Sequence, residues 1–521
     1  MPFYRVAVIL FLVCTAGVAA RSPVGRDFVV EETTIAQVHS AFLSGDLTCR
    51  GLVDAYLARI EKFDRTGPAL NAIASINPQA LEIADRLDEH FADTGLTGPL
   101  HCVPVIVKDN LETMGWETTA GSLALKGFVP ERDATAIVRL KAAGAVILAK
   151  ATMADLALSA LTTQNRIHGR TKNAYALDRV PAGSSGGTAV AIAANFGLVG
   201  LGTDTGNSVR GPASHASIVG LRPTMGLTSR AGMIPLDTLS DIIGPMARTV
   251  TDAATVLEVL AGWDQLDLAT EPIRDRTPPV RAALQDGLTG VRIGVLRQAF
   301  EGGPVKVDAD ISRLLARALA DLESLGATIV NSVSLDNVPS TPNAERCRGF
   351  EFDFNAYLDA QGGRAPVRSL AEILTTGRFD PSIEDDLRAM HTGAHDGPES
   401  SACQANAAYR SAVAAALTTA MGRHRLTALV YPTWSRQPQF VFNVGVEDAG
   451  QTLRFATAAG FPAITVPMGF TADVLPAGLS FMGTAWSEPV LLAIAGHYER
   501  ATGHRRPPVL APPIPCQCDG R

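Results

Sequence analysis

The chain has 521 residues, 46% hydrophobic and 19% charged, with a formal net charge of −7 at pH 7. That composition belongs to a globular protein long enough to bury a large core, and it excludes a disordered or low-complexity chain. The acidic balance, with no basic block interleaved with aromatics, argues against nucleic acid as a partner.

Residues 1–20 read as a secretory signal. Arg5 precedes an apolar run from Val6 to Ala20, which closes on small residues before Arg21 and Ser22. Fifteen apolar residues fall short of the roughly 20 that cross a bilayer. Cys14 follows Val13, not the small residue of a lipid-anchoring motif. The expectation is a secreted or periplasmic chain with no membrane attachment after cleavage. Removal of Cys14 leaves Cys49, Cys102, Cys347, Cys403, Cys516 and Cys518, an even set that permits disulfides in an exported protein. Sequence does not fix the connectivity, but Cys347 and Cys403 share one motif-poor segment and form one candidate pair. The short spacing of Cys516 and Cys518 disfavours a bridge between them. No CxxC pair occurs, so a zinc site is not expected.

Apolar residues recur at three- and four-residue steps over 36–43 and 52–63, which predicts two amphipathic helices, the second capped by Thr48. Strands follow at 103–107 and 145–149 with a helix over 134–143 between them, then a helix over 187–197 and a strand at 198–202. The stretch 262–290 is polar and contains prolines. Strands at 291–296 and 328–333 flank a helix over 309–325, and 340–425 is helical in pattern. Strand character returns at 428–431 and 463–467, before a final helix over 488–501 and a Pro-rich tail. Helices alternating with short apolar strands predict an α/β fold: one large domain over 21–507, with a mixed, mostly parallel, twisted sheet covered by helices on both faces. Residues 508–521 form the tail.

Three places could carry chemistry. Lys108 directly follows the apolar strand Val103 to Val107. On its own it is a charge leaving a strand end; held at the carboxyl edge of a sheet and desolvated, it becomes a neutral base. The run Pro181-Ala-Gly-Ser184-Ser185-Gly-Gly-Thr188 opens an Ala-rich helix. It lacks the Lys-Ser/Thr that ends a phosphate loop. It matches a nucleophile elbow only in part, because Tyr175 to Pro181 is polar and not a strand. A tight loop without chemistry is the plain alternative. The third run, Gly202-Thr-Asp-Thr-Gly-Asn-Ser208-Val-Arg210, turns from a strand into a helix. Consecutive N–H groups at such a turn can bind an oxyanion, although hydroxyls at helix starts usually cap them.

Taken in order, LHCVPVIVKDN, PAGSSGGT and GTDTGNSVRGPASHASIVGLRPT resemble the amidase signature family, and the two serines stand at the family's usual interval of 24 residues. Gly226-Leu-Thr-Ser-Arg230, Asp241-Ile-Ile-Gly-Pro-Met246 and Gly460-Phe-Pro-Ala-Ile-Thr-Val466 agree with it, and the likeness runs over roughly 33–507. The resemblance implies a Ser–Ser–Lys triad acting on amide C–N bonds without metal or cofactor. Ser208 is the nucleophile, Ser184, in a cis peptide, the relay, and Lys108 the base. The N–H groups of Thr205, Gly206, Asn207 and Ser208 form the oxyanion hole, Ser185 supports the lysine, and Asp204 and Arg210 support the serine turn. Two positions depart from the family pattern. Asn207 replaces a common glycine, keeping the N–H but narrowing or polarising the acyl pocket. Thr152 replaces a common asparagine.

Rival readings are weaker. His391 and His395 are spaced as on a metal-binding helix, but Gly393 lies between them and no HExxH glutamate is present. A Ser-His-Asp esterase would recruit His497 or His504, and no spacing compels either. A non-catalytic binding homologue would be expected to have lost a triad residue. Membership of a tRNA-transamidating complex conflicts with the export signal. The expected partner is a small-molecule amide, with esters or carbamates as side substrates; the oligomeric state stays open, a homodimer included. The segment 340–440 is expected to build part of the pocket; Trp434 and Phe440 are candidate wall residues, with a role as ordinary core aromatics the favoured reading.

Overall fold

The computed structural model describes residues 28–514 apart from 276–279, 281–286, 302–305, 337, 339–346, 348, 393–399 and 446–453. The expected signal at 1–20, His395, Cys516 and Cys518 lie outside the described residues.

Short apolar runs bounded by turns become strands, and eleven of them join in one sheet. In chain order they are β1 (Ile73–Ile76), β2 (Pro104–Lys108), β3 (Val146–Ala151), β4 (Val199–Asp204), β5 (Val219–Arg222), β6 (Ile242–Ala247), β7 (Arg292–Val295), β8 (Thr328–Val330), β9 (Ala428–Pro432), β10 (Ala463–Phe470) and β11 (Pro476–Met482). Across the sheet the order is β1-β3-β2-β4-β6-β5-β10-β11-β9-β7-β8. The expected α/β domain with a large mixed sheet flanked by helices is present, but "mostly parallel" needs correction. Six neighbouring pairs are antiparallel and four are parallel. The parallel pairs are the ones expected from helix crossovers, around β2 and β7. The centre is filled instead by β5, β6, β10 and β11, whose neighbours run the other way.

Helix ends follow local chemistry. Thr34 and Gln37 close a capping box on the helix Ile35–Ser44, and Gly45 ends it in the left-handed conformation. Thr48 accepts from the Gly51 N–H at 3.1 Å and starts the helix Cys49–Arg59 as expected. In the helix Ala309–Ser324, Ile311, Leu314, Leu315, Ala318 and Leu322 are buried, the stripe that a 3.6-residue period lays against a sheet.

Two disulfides tie the described chain, Cys49–Cys102 and the candidate pair Cys347–Cys403. The first joins the start of the helix Cys49–Arg59 to the approach to β2, closing a sequence separation of 53 residues. Replacing Cys49 and Cys102 together with alanine is expected to lower stability by about 2–5 kcal/mol, read as a lower urea midpoint at unchanged slope; an unchanged midpoint would show that the bridge contributes nothing.

The motif-poor segment packs as a satellite. The helices Gly349–Ala360, Leu370–Thr376 and Glu384–Thr392 bury Phe350, Phe354, Leu370, Ile373 and Leu387 against Phe128 and Met153 of the loops after β2 and β3. Polar anchors fix its placement. The Asp380 N–H donates to Asp155 at 2.7 Å, Tyr357 Oη to Glu112 at 2.8 Å, and the Thr238 N–H to Asp353 at 2.8 Å. The satellite therefore stands over the sheet edge where β2 and β4 end.

Candidate active site

Strands β2 and β4 are parallel neighbours, with Val107 opposite Leu201, so Lys108 and Thr203 emerge at the same edge. The antiparallel β6 begins at that edge, Ile242 opposite Asp204, which sets Asp241 beside them. Lys108 is fully buried. Its Nζ lies 2.7 Å from Ser184 Oγ, 2.8 Å from Thr203 Oγ1 and 3.4 Å from the Thr203 carbonyl oxygen. Burial pulls its pKa down to about 7; the more distant charges of Asp241 and Asp204 oppose the shift without cancelling it.

A second buried lysine gives the contrast. Lys150 ends 3.5 Å from the Asp109 carboxylate and donates to the Glu117 carbonyl at 2.8 Å and to Thr118 Oγ1. Burial also lowers its pKa, to about 8, but Asp109 holds it toward the charged form. Lys108 has hydroxyl and carbonyl partners and, among the described residues, no carboxylate in ion-pair contact. It is the lysine placed to exchange a proton with a serine.

The loop carrying Ser184 is fixed by close backbone approach. The Gly183–Ser184 peptide is cis. A Cβ at Gly183 would stand 2.3 Å from the Thr162 carbonyl oxygen, and one at Gly187 would stand 2.2 Å from that of Thr152, so neither position admits a side chain without moving backbone. Thr163 Oγ1 donates to the Ala182 carbonyl at 2.9 Å and accepts from the Gly186 N–H at 3.0 Å, pinning both sides of the serine pair. Ser185 Oγ donates to the Thr203 carbonyl at 3.3 Å, and its N–H donates to the Ser208 carbonyl at 3.3 Å. This second bond joins the two serine loops. No hydrogen bond links the hydroxyls of Ser184 and Ser208 to each other among the described residues.

Ser208 lies on the turn between β4 and the helix Arg210–His215. The N–H groups of Gly206, Asn207 and Ser208 donate to no atom among the described residues, leaving consecutive donors along the cleft wall. Asp204 holds the turn. It accepts from the Val209 N–H at 3.2 Å and pairs with Arg210 Nε and Arg222 Nη1, each at 3.1 Å. Burial alone would raise the Asp204 carboxyl; Arg210 and Arg222 outweigh it and hold the pKa down to about 2. Arg210 also donates to the Gly206 carbonyl at 2.8 Å, so the pair fixes both ends of the turn.

The turn opens onto a cleft of about 400 Å³, which Ser208, Asn207, Leu158, Leu236, Phe350 and Met390 help to line. The motif-poor segment supplies the last two. Trp434 and Phe440 do not line it. Trp434 is core: it stacks on His215 at 5.1 Å and donates from Nε1 to the Gly211 carbonyl at 3.1 Å. Phe440 lies under the Arg179 guanidinium at 3.4 Å and stacks on Phe442. Thr152 is a structural clasp, bonding Thr171 Oγ1 at 2.6 Å and the carbonyls of Asn71 and Ala72 at 3.1 Å.

Two residues here escaped sequence reasoning. Thr203 gives Lys108 its second hydroxyl partner. Asp241 accepts from Thr205 Oγ1 and from the N–H groups of Leu236 at 2.8 Å and Asp237 at 2.9 Å, joining the Ser208 turn to the cleft wall. Burial, with Asp237 nearby, raises the Asp241 pKa to about 6. Both sit inside quoted motif strings, Thr203 next to Asp204 and Asp241 at the head of Asp241-Ile-Ile-Gly-Pro-Met246; position at a strand end was the signal available. The nominated histidines are elsewhere. His391 faces Glu351 at 3.0 Å, His497 faces Arg500 at 3.3 Å and His504 faces Asp321 at 3.6 Å.

Comparison with known proteins places the fold in a family. The amidase family model matches residues 51–492. The chain is 33% identical to "Probable amidase" of Arabidopsis thaliana, over 95% of each chain. It is 34% identical to a glutamyl-tRNA(Gln) amidotransferase subunit from Symbiobacterium thermophilum, over 90% of this chain and 96% of that one. The crystal structure of the peptide amidase from Stenotrophomonas maltophilia superposes with a TM-score of 0.82 at 35% identity, over 92% of this chain and 99% of that one. With its fold, its motifs and these relatives in accord, the chain belongs to the amidase signature family and is a hydrolase of C–N amide bonds.

Proposed function

We propose that the protein hydrolyses small carboxylic amides through an acyl-enzyme on Ser208, with Ser184 and neutral Lys108 as the proton relay. The observation that carries this reading is the buried amine 2.7 Å from Ser184 Oγ, with its pKa drawn down to about 7. Ser208 Oγ attacks the carbonyl carbon while its proton passes to Ser184 and the Ser184 proton to Lys108. The free N–H groups of the 205–208 turn take the developing oxyanion. Collapse of the intermediate breaks the C–N bond, and the relay returns a proton to the departing amine. Water then repeats the sequence and frees Ser208. The relay closes when Ser208 rotates toward Ser184 with substrate bound, since catalytic hydrogen bonds commonly tighten in the Michaelis complex. Esters pass through the same tetrahedral chemistry and are expected side substrates.

A base that must be neutral sets the pH dependence. Lys108 is protonated and inactive below its pKa, so kcat/KM is expected to rise through pH about 7 and level off above it. A pH series on one amide checks this; activity peaking below pH about 5, where a lysine is charged, would remove Lys108 as the base.

The similarity to the Stenotrophomonas maltophilia peptide amidase supports amino-acid and short-peptide amides as the first substrates to assay. The two disulfides support work outside the reducing cytosol and disfavour membership of a tRNA-modifying assembly. Thiol labelling of the protein taken from its native compartment tests that placement: free thiols at Cys49 or Cys347 would put it in the cytosol.

A further inference from the structure

The surroundings of the lysine carry one step more, and that step rests on the amidase reading above. We infer that Thr203 is a positioning residue for the base: its two oxygens take the N–H groups of Lys108 that face away from Ser184, so the amine exchanges its proton with Ser184 alone.

The count of hydrogens supports this. An ammonium has three N–H groups and no lone pair, whereas a neutral amine has two N–H groups and one lone pair. Among the described residues Lys108 Nζ meets three oxygens: Ser184 Oγ at 2.7 Å, Thr203 Oγ1 at 2.8 Å and the Thr203 carbonyl oxygen at 3.4 Å. The ammonium formed when Ser208 attacks therefore finds an acceptor for every hydrogen without moving. Once it returns the proton on the Ser184 side, its other two N–H groups stay on Thr203 and the lone pair is left aimed at Ser184. Burial makes this match matter. Lys108 and Ser184 are 0% exposed and Thr203 is 3% exposed, so solvent does not replace a lost partner, and a buried donor without one is costly.

Thr203 is itself held on several sides. Its strand β4 runs between β2 and β6, with Thr203 opposite Ile243. Ser185 Oγ donates to its carbonyl at 3.3 Å. Asn110 Nδ2 donates to its hydroxyl at 3.2 Å and to the Ile234 carbonyl at 3.3 Å. That carbonyl can only accept, which identifies the Asn110 atom beside it as the NH2. The Ile234 N–H donates back to the Asn110 carbonyl at 2.8 Å, locking Asn110 in place. The charges that act on Lys108 are those of Asp241 and Asp204. Lys150, on the neighbouring strand β3, is turned to Asp109. Neither Asp241 nor Asp204 takes an N–H of Lys108 among the described residues, so the direction of the amine is set by Thr203 and Ser184.

The test is the pH profile of kcat/KM on one amide for the parent, Thr203→Val and Thr203→Ser, with a thermal melt of each. Valine keeps the shape of threonine and removes the hydroxyl. It is expected to lower the plateau roughly 10- to 100-fold, because an amine free to turn from Ser184 is misplaced for proton transfer. It should also move the acid limb down by about 1 pH unit, because the ammonium loses an acceptor that favours the charged form. Serine keeps the hydroxyl and should return both toward the parent. Thr203→Ala reads the same two changes if the valine variant does not fold. A limb that stays in place in the valine and alanine variants would overturn the inference whatever the plateau does, since a packing role lowers turnover without changing the proton affinity of the lysine. A serine variant no better than valine would overturn it as well. A parent profile with no limb near pH about 7 would instead remove Lys108 as the base, and the inference with it.

Discussion

Replacing Lys108 with methionine is expected to lower kcat/KM by roughly 10⁴- to 10⁶-fold, the loss seen when a member of a mutually dependent catalytic group is removed. The side chains are similar in volume, so the methionine fills the buried space at the end of β2. What it cannot do is exchange a proton with Ser184. Two hydroxyls, on Ser184 and Thr203, lose a partner, but a desolvated amine is no longer carried in the core, so the melting temperature is expected to stay within a few degrees. The measurement is a rate on a single amide beside a thermal melt. A loss of only tenfold with the fold intact would mean that another group accepts the Ser208 proton. Alanine at His497 or His504 is expected to leave the rate near its starting value, because neither ring reaches a serine of the site; a collapse there would favour a Ser-His mechanism instead.

Asp204→Asn is expected to cost about 3–5 kcal/mol of stability, because it leaves two buried guanidinium groups facing a neutral amide. Arg210 and Arg222 are both fully buried and both bonded to this one carboxylate. Their burial is tolerable only while it is charged. The pH dependence follows from the sign of the shift. The folded carboxyl sits near about 2, below its unfolded value near about 4. Its contribution is therefore complete above pH about 4 and disappears as pH falls toward 2. The gap between parent and variant in urea unfolding should be full at pH 7 and close progressively below pH 4. A difference under about 1 kcal/mol at pH 7 would show that the arginines find other acceptors. Activity is expected to fall with stability, since the same carboxylate holds the Val209 N–H and, through Arg210, the Gly206 carbonyl.

The residues at the site were legible because their chemistry contradicts their surroundings. A lysine after five apolar residues, and serines in glycine-rich turns at helix starts, are visible without coordinates. The strands that position them were legible where apolar runs were uninterrupted, as in β2 and β4. Three central strands, β5, β6 and β11, were harder. Ile242-Ile-Gly-Pro-Met-Ala247 and Pro476-Ala-Gly-Leu-Ser-Phe-Met482 mix glycine and proline into buried segments, which hides strand character, and proline normally argues against an interior strand. Pro245 is accommodated because β5 pairs only with Met246 and Ala247, leaving Pro245 paired on the β4 side alone. Missing these strands is why the sheet was expected to be mostly parallel. Trp434 was left between two roles, with the core favoured, for a related reason: an aromatic near the end of a strand can face the core or a pocket, and the stack on His215 decides for the core. Asp241 stayed out of view because its role comes from β6 running antiparallel to β4, a pairing the sequence does not announce.

The groups poised for bond cleavage all come from residues 108–241, whereas the far wall of the cleft comes from 347–406, a stretch stapled on itself by Cys347–Cys403 and seated on its own apolar cluster. The reactive groups thus come from one stretch of polypeptide, and the far half of the recognition surface from another. Exchanging the satellite between relatives would graft a new preference onto an unaltered reaction centre, which makes this region the natural place for selection, or an engineer, to diversify the enzyme.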